Sequence, residues 1–80
     1  MIKTNSIKKG MRVILANGWR ATIEDNKKGN IRLATVEGYF FTEMGSIYAW
    51  DIEWAYTEEG LIRVALTDAQ KKAREKIQSL

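Results

Sequence analysis

Two carboxylates offer the main place where this chain could carry out catalytic chemistry. Asp51 and Glu53 stand two residues apart, and on a β-strand that spacing puts both side chains on one face. Paired carboxylates can share acid–base work or bind a divalent cation. The same spacing also fits two solvated charges opposite a buried aromatic face, which is the commoner arrangement for charged side chains. We therefore expect the pair to lie at the surface without a catalytic role.

The other usual catalytic groups are missing from the sequence. The 80 residues include no histidine and no cysteine, which removes an imidazole base, a thiolate nucleophile and most zinc or iron–sulfur sites. Gly10, Gly18 and Gly29 do not have the spacing of a phosphate-binding loop. The sequence predicts a protein that is not an enzyme and that uses no metal or other cofactor.

Charged and aromatic residues are divided unevenly along the chain. Residues 33–62 contain six acidic and no basic residues, and they hold seven of the eight aromatic side chains. Residues 1–32 carry a charge balance of +6 and residues 63–80 one of +3, so the net charge of +3 conceals a strong division. Such a division affects which partners a protein attracts.

The acidic, aromatic segment favours a protein-binding surface. Tyr and Trp dominate the energetic hot spots of protein interfaces, and an acidic rim attracts a basic partner. We expect the exposed aromatic side chains to be those next to acidic residues. The predicted partner-binding residues are Tyr39, Glu43, Asp51, Glu53, Trp54 and Tyr56.

The basic segment supports an alternative hypothesis, in which the chain binds nucleic acid. Several cations on one surface can bind phosphates, and an exposed aromatic side chain can stack on a base. The residues predicted for this surface are Lys8, Lys9, Arg12, Trp19, Arg20, Lys27, Lys28, Asn30 and Arg32. A third hypothesis is a homodimer in which the basic and acidic regions of two copies meet.

Short β-strands must position these side chains. Turn residues separate six β-prone segments, at 11–16, 19–24, 31–36, 39–42, 46–56 and 61–66. The Asn17-Gly18 pair predicts a two-residue hairpin turn, which would pair Ile14 with Ala21. Both faces of the first segment are apolar, which requires either a register slip at a bulge or a bent strand that is covered on both sides.

Within residues 46–80, the spacing of the apolar side chains changes from that of a β-strand to that of an α-helix. In segment 46–56 the alternating positions predict a strand with one face formed by Tyr48, Trp50, Ile52, Trp54 and Tyr56. Thr67 and Gln70 have the spacing of a capping box, and the pattern that follows predicts a helix over 67–80. A helix of that length is not stable alone, so it must pack against the sheet.

Two stretches of the sequence resemble known protein families. Lys9-Gly10-Met11-Arg12-Val13, then Gly18 and Ala21-Thr22-Ile23, resemble the opening of SH3-like barrels of the KOW and Tudor kind. The string NGWRATIEDNKKGNIRLATVEG…TEMGSIYAWDIEWA resembles small uncharacterised proteins of bacteriophages and prophages, and together the matches cover about residues 8–55. Trp19-Arg20 replaces the second glycine of the KOW pattern, so the resemblance implies a barrel without implying RNA binding.

These observations combine into one expected architecture and one expected role. The fold is expected to be mainly β, a small SH3-like barrel of five or six strands over about 8–66 with one C-terminal α-helix over 67–80, all in a single domain over 1–80. The expected function is a non-catalytic, phage-encoded protein of the host cell cytoplasm. Its acidic, aromatic surface would bind a basic host protein and inhibit nucleic-acid-handling or anti-phage defence. No apolar run approaches the roughly 20 residues that cross a membrane.

Overall fold

A computed structural model describes residues 1–78, which form seven β-strands, two short 3-10 turns and one α-helix. This confirms a mainly β chain with a C-terminal helix. The structure has seven strands where the sequence predicted five or six. The first strand was not predicted because it has only two residues, which are too few to form a recognisable pattern. The elements are β1 (Ile2–Lys3), β2 (Arg12–Leu15), β3 (Arg20–Ile23), β4 (Ile31–Glu37), β5 (Thr42–Tyr48), β6 (Ile52–Thr57), β7 (Gly60–Ala65) and α1 (Asp68–Gln78), with 3-10 turns at Thr4–Ser6 and Ala49–Asp51.

All seven strands belong to one sheet, in the order β1-β7-β6-β2-β3-β4-β5. Within residues 1–78 the two edge strands, β1 and β5, do not pair with each other, so the sheet is not closed. The barrel expected from the sequence is therefore not confirmed. No helix in this part of the chain is long and apolar enough to cross a membrane.

The hairpin of β2 and β3 has a register one residue away from the predicted one. Val13 pairs with Ala21, and the Leu15 N–H donates to the Trp19 carbonyl oxygen over 2.8 Å. The loop therefore has three residues and ends at Gly18, whose φ of +87° is a conformation that glycine adopts without strain. This register turns alternate residues of both strands into the core. The core cluster contains Ile7, Val13, Leu15, Ala21, Ile23, Ala34, Ile52, Ala55 and Val64.

The single strand predicted over 46–56 is wrong, because two irregularities divide it. The 3-10 turn Ala49–Asp51 interrupts the alternation and leaves Trp50 buried, with its ring stacked on Tyr48 at a centroid distance of 4.5 Å. In β6 an extra residue, Glu53, lies between the residues that pair with β2. Side chains predicted to share one face therefore lie on different sides of the sheet.

The first turn of α1 forms the predicted capping box. The Gln70 N–H donates to Thr67 Oγ1 over 3.1 Å, and the Thr67 N–H donates to Gln70 Oε1 over 3.0 Å. The buried hydroxyl of Thr4 also donates to Gln70 Oε1, so the cap joins α1 to the start of the chain. The helix packs against the 3-10 turn at 49–51. The last two residues of the predicted helix, 79–80, lie outside the described residues.

Arg32 is fully buried, although its type is usually found at the surface. Its Nε donates to the Gly29 carbonyl oxygen over 2.8 Å, and its two terminal nitrogens donate to the Thr4 carbonyl oxygen and to Asn5 Oδ1 over 3.2 and 3.3 Å. Burial lowers the pKa of Arg32 from its ordinary value, and the nearby Asp25 carboxylate partly offsets that effect. One guanidinium thus ties the N-terminal 3-10 turn to the loop between β3 and β4.

Candidate functional site

Three consecutive aromatic side chains project from the turn between β4 and β5. The Gly38 N–H donates to the Phe41 carbonyl oxygen over 3.1 Å, which closes a tight turn. Tyr39, Phe40 and Phe41 are 87%, 96% and 68% exposed. Contiguous apolar exposure of this kind is often found at interaction sites, so this turn is a candidate functional site.

Trp19 supplies a fourth aromatic wall beside this turn. It directly follows the loop of the β2–β3 hairpin, and its ring meets that of Tyr39 edge to face, with centroids 6.1 Å apart and planes at 89°. Two of its ring atoms lie 3.6 Å from the position that a β-carbon on Gly38 would occupy. The indole therefore lies directly against the turn.

The four aromatic side chains surround a cavity of about 340 Å³, which we call the aromatic cup. One carboxylate lies in its wall, and that residue, Glu43, makes no ion pair within residues 1–78. Aromatic faces attract cations, and a neighbouring carboxylate strengthens that preference. The cup is lined by Trp19, Val36, Gly38, Tyr39, Phe40, Phe41 and Glu43.

The other predicted partner-binding residues lie apart from the cup. Glu53 accepts a hydrogen bond from Arg63 over 3.3 Å, and the same guanidinium lies 5.1 Å from the centre of the Trp54 ring. Tyr56 is exposed further along β6. Asp51 is half-buried in the 3-10 turn, where its carbonyl oxygen accepts the Ala16 N–H over 2.7 Å. The structure thus brings Tyr39 and Glu43 together but does not place the remaining four in the cup.

The residues predicted to bind nucleic acid also separate into groups. Arg12 forms an ion pair with Glu37 at 3.2 Å, and Arg20 pairs with Glu37 in the sheet register. Trp19 belongs to the aromatic cup. Arg32 is buried with its donors engaged within the fold, so its assignment to the nucleic-acid surface is wrong.

Four lysines of that set do come together. Lys8 and Lys9 precede β2, and Lys27 and Lys28 lie in the loop between β3 and β4. The Lys9 N–H donates to Asn26 Oδ1 over 2.9 Å, which joins the two segments. Beside them lies a cavity of about 590 Å³, the lysine groove, lined by Asn5, Ser6, Ile7, Lys8, Asn26 and Lys28.

Asn30, one of the residues predicted to bind nucleic acid, makes a backbone contact within the fold. The Asn30 carbonyl oxygen accepts the Ala49 N–H over 2.7 Å, which fixes the end of the β3–β4 loop against the 3-10 turn. In the part of the chain that the structure describes, no three acidic side chains are grouped as a metal ion would require.

Sequence reasoning missed two of the exposed aromatic residues of the cup, Phe40 and Phe41. It assigned 39–42 to a short strand, in which alternate side chains would point toward the core. The available signal was the three consecutive aromatic residues directly after Gly38, because a glycine followed by a chain reversal exposes whatever the turn carries.

Comparison of the chain with protein-family models, with curated proteins and with solved structures found no match. The geometry and chemistry of the aromatic cup and the lysine groove are therefore the basis for inferring a function.

Proposed function

We propose that this chain is a non-catalytic binding protein whose aromatic cup captures an arginine or lysine side chain of a basic partner protein. The observation that carries the proposal is the exposure of Tyr39, Phe40 and Phe41 around a cavity that also contains the Glu43 carboxylate. A small domain that leaves three adjacent aromatic rings in water gains free energy when a partner covers them.

The chemistry of the cup favours a cationic group over an apolar one. A guanidinium or ammonium within about 6 Å of an aromatic face gains about 0.5–2 kcal/mol, depending on how far it is desolvated. The carboxylate of Glu43 is free to pair with it. Glu37, nearby in sequence, already pairs with Arg12, which leaves Glu43 as the acid that selects for positive charge.

The resemblance found in the sequence supports a wider form of this proposal. The strands β2 to β5 form a meander, and β6 follows a 3-10 turn and returns to pair with β2. That order supports an SH3-like barrel. The likeness to bacteriophage proteins supports a host protein as the partner, binding in the host cytoplasm, and an inhibitory role against nucleic-acid-handling or defence machinery.

The proposal is tested by fluorescence anisotropy with labelled arginine-rich, lysine-rich and glutamate-rich peptides. We expect the basic peptides to bind and the acidic one not to bind. Replacing Phe40 and Phe41 together by Ser should weaken binding at least tenfold, because both rings lie in the cup. Glu43→Gln should weaken it less and reduce its dependence on salt.

The matched control is Tyr56→Ser, which removes an exposed aromatic ring far from the cup along β6. This variant should bind basic peptides as the unaltered protein does. The proposal is overturned if the double phenylalanine variant retains full affinity, if the control loses as much as the double variant does, or if no basic peptide binds. Circular dichroism checks that each variant remains folded.

A further inference from the structure

A second surface, the lysine groove, has the chemistry of an anion site. Lys8 and Lys28 line it, and Lys9 and Lys27 are exposed next to them in sequence, so the two adjoining segments carry four positive charges. The two acidic residues of the same loop both accept hydrogen bonds from other groups of the fold. Asp25 accepts the backbone N–H groups of Lys27 and Leu33 over 3.2 and 2.8 Å.

The second acid, Glu24, accepts the Thr35 hydroxyl over 3.3 Å. Its carboxylate is therefore held toward β4. Within residues 1–78, neither of these carboxylates forms an ion pair with Lys8, Lys9, Lys27 or Lys28. The groove presents positive charge to solvent.

Two asparagines add hydrogen-bond donors to these cations. The Asn26 side-chain oxygen accepts the Lys9 N–H, and the Asn5 side-chain oxygen accepts a guanidinium N–H of Arg32. Each amide therefore has its acceptor occupied and its NH₂ group free. Donors without matching acceptors favour an anion over a neutral polar ligand.

The groove is also held in place by the interior of the protein. The buried Arg32 bonds to Asn5, which lines the groove, and to Gly29, which follows Lys28 in sequence. The two lysine-bearing segments are thereby fixed relative to each other before any ligand arrives. A preorganised site loses less conformational entropy on binding than two mobile loops would.

An exposed aromatic side chain adjoins the same loop. Tyr48 pairs with Ile31 in the sheet register, and the next residue, Ala49, bonds to the carbonyl oxygen of Asn30. The Tyr48 ring is 45% exposed, and its orientation is fixed by stacking on the buried Trp50. A fixed aromatic ring beside a basic groove is the combination that binds single strands, in which phosphates contact cations and a base stacks.

We propose that the lysine groove binds the phosphate backbone of single-stranded nucleic acid, with Tyr48 as the platform on which one base stacks. This site is separate from the aromatic cup and does not depend on the cup's proposed role. It uses four of the cations that the sequence suggested and excludes Arg12, Arg20 and Arg32.

The test is fluorescence anisotropy with labelled 20-nucleotide dT and U strands at 50 and 200 mM salt. Lys27→Glu with Lys28→Glu should weaken binding at least tenfold and lower the slope of log K against log salt by about 1.4, since each phosphate contact on a single strand contributes about 0.7. The matched control is Lys71→Glu with Lys72→Glu, which makes the same charge change on exposed residues of α1 and should alter affinity less than twofold.

Stacking is tested separately with Tyr48→Ala, which should weaken binding at least about fivefold by removing one stacked base. The variant Phe40→Ser with Phe41→Ser should bind the strands normally, so failure of the aromatic cup and failure of this groove are distinguishable. The proposal is overturned if the unaltered protein does not bind the single strands, or if poly-glutamate or duplex DNA binds as tightly as they do. It is also overturned if the two lysine double variants lose affinity equally, or if Tyr48→Ala binds as the unaltered protein does.

Discussion

Replacing the buried Arg32 by Met tests whether the interior of the protein depends on that guanidinium. The substitution keeps an unbranched side chain and removes three hydrogen bonds, to Gly29, Thr4 and Asn5. The carbonyl oxygen of the fully buried Thr4 loses one of its two hydrogen bonds without gaining water, and it keeps the one from the Ile7 N–H over 3.1 Å. Gly29 and Asn5 are exposed and can turn to solvent.

The expected loss follows from these surroundings. A hydrogen bond to a charged donor contributes about 1.5–3 kcal/mol, and of the three that are lost only the buried one to Thr4 cannot be replaced by water. Removing the buried cation recovers part of this, because Arg32 no longer has to be desolvated. We expect a net loss of about 2–4 kcal/mol, against a total of about 4–12 kcal/mol for a domain of this size.

Thermal and urea unfolding, followed by tryptophan fluorescence and circular dichroism, measure this loss. The melting temperature should fall by about 8–30 °C, at about 4–8 °C for each kcal/mol in a small domain. Arg20→Met is the matched control, because Arg20 is exposed and makes no side-chain hydrogen bond within residues 1–78. Equal melting temperatures for the two variants would refute the argument.

Arg32→Lys separates the charge from the hydrogen bonds. Lysine keeps the cation but concentrates its donors at one nitrogen, which cannot reproduce the fork that reaches two segments of the chain. We expect this variant to be destabilised nearly as much as Arg32→Met. Full stability of Arg32→Lys would show that the positive charge alone is enough.

Substitutions at four further residues test other parts of the fold by urea unfolding. Thr67→Ala should lower the free energy of unfolding by about 1 kcal/mol through loss of the helix cap, and Thr67→Ser should restore most of it. Trp50→Ala should lower the free energy of unfolding by about 3–5 kcal/mol because the ring is buried. Gly45→Ala, with open space at the added carbon, should be neutral or stabilise by up to about 0.5 kcal/mol, whereas Gly60→Ala should destabilise by about 1 kcal/mol because φ is +105°. Each expectation would be contradicted by one result. These results are a Trp50→Ala protein as stable as the unaltered one, an unaffected Thr67→Ala protein, and equal effects of the two glycine substitutions.

Local patterns in the sequence predicted the features that depend on a few neighbouring residues. The capping box of Thr67 and Gln70 was predicted correctly because both hydrogen bonds join residues three apart. The hairpin near Gly18 was also predicted, but its register was one residue off. A two-residue and a three-residue loop can both use a glycine there, and the packing of Val13 against Ala21 decides between them.

Long-range packing decided what the sequence could not predict. Arg32 carries a charge, and only the folded chain brings Thr4 and Gly29 within reach of its donors. Trp54 was expected to share a face with Trp50, but the 3-10 turn and the extra residue in β6 break the alternation between them.

The candidate site was predicted in part for the same reason. Tyr39 and Glu43 were identified from their composition and their neighbours in sequence. Phe40 and Phe41 were not, because their exposure depends on where the chain reverses between β4 and β5. The four lysines belong to the set predicted from the sequence, whereas Asn5, Asn26 and Tyr48 are related to them only through contacts in the folded protein.

The contacts between the two ends of the described chain affect how fast the protein folds and unfolds. β1 pairs with β7 in parallel, with Ile2 opposite Val64, and Thr4 bonds to Gln70 across 66 positions of sequence. The meander from β2 to β5 needs only short loops, so it can form before these distant contacts close. Contacts that form after the rate-limiting step change the unfolding rate and leave the folding rate nearly unchanged. We therefore expect substitutions in the first six residues to change mainly the unfolding rate, and substitutions in the central hairpins to change mainly the folding rate.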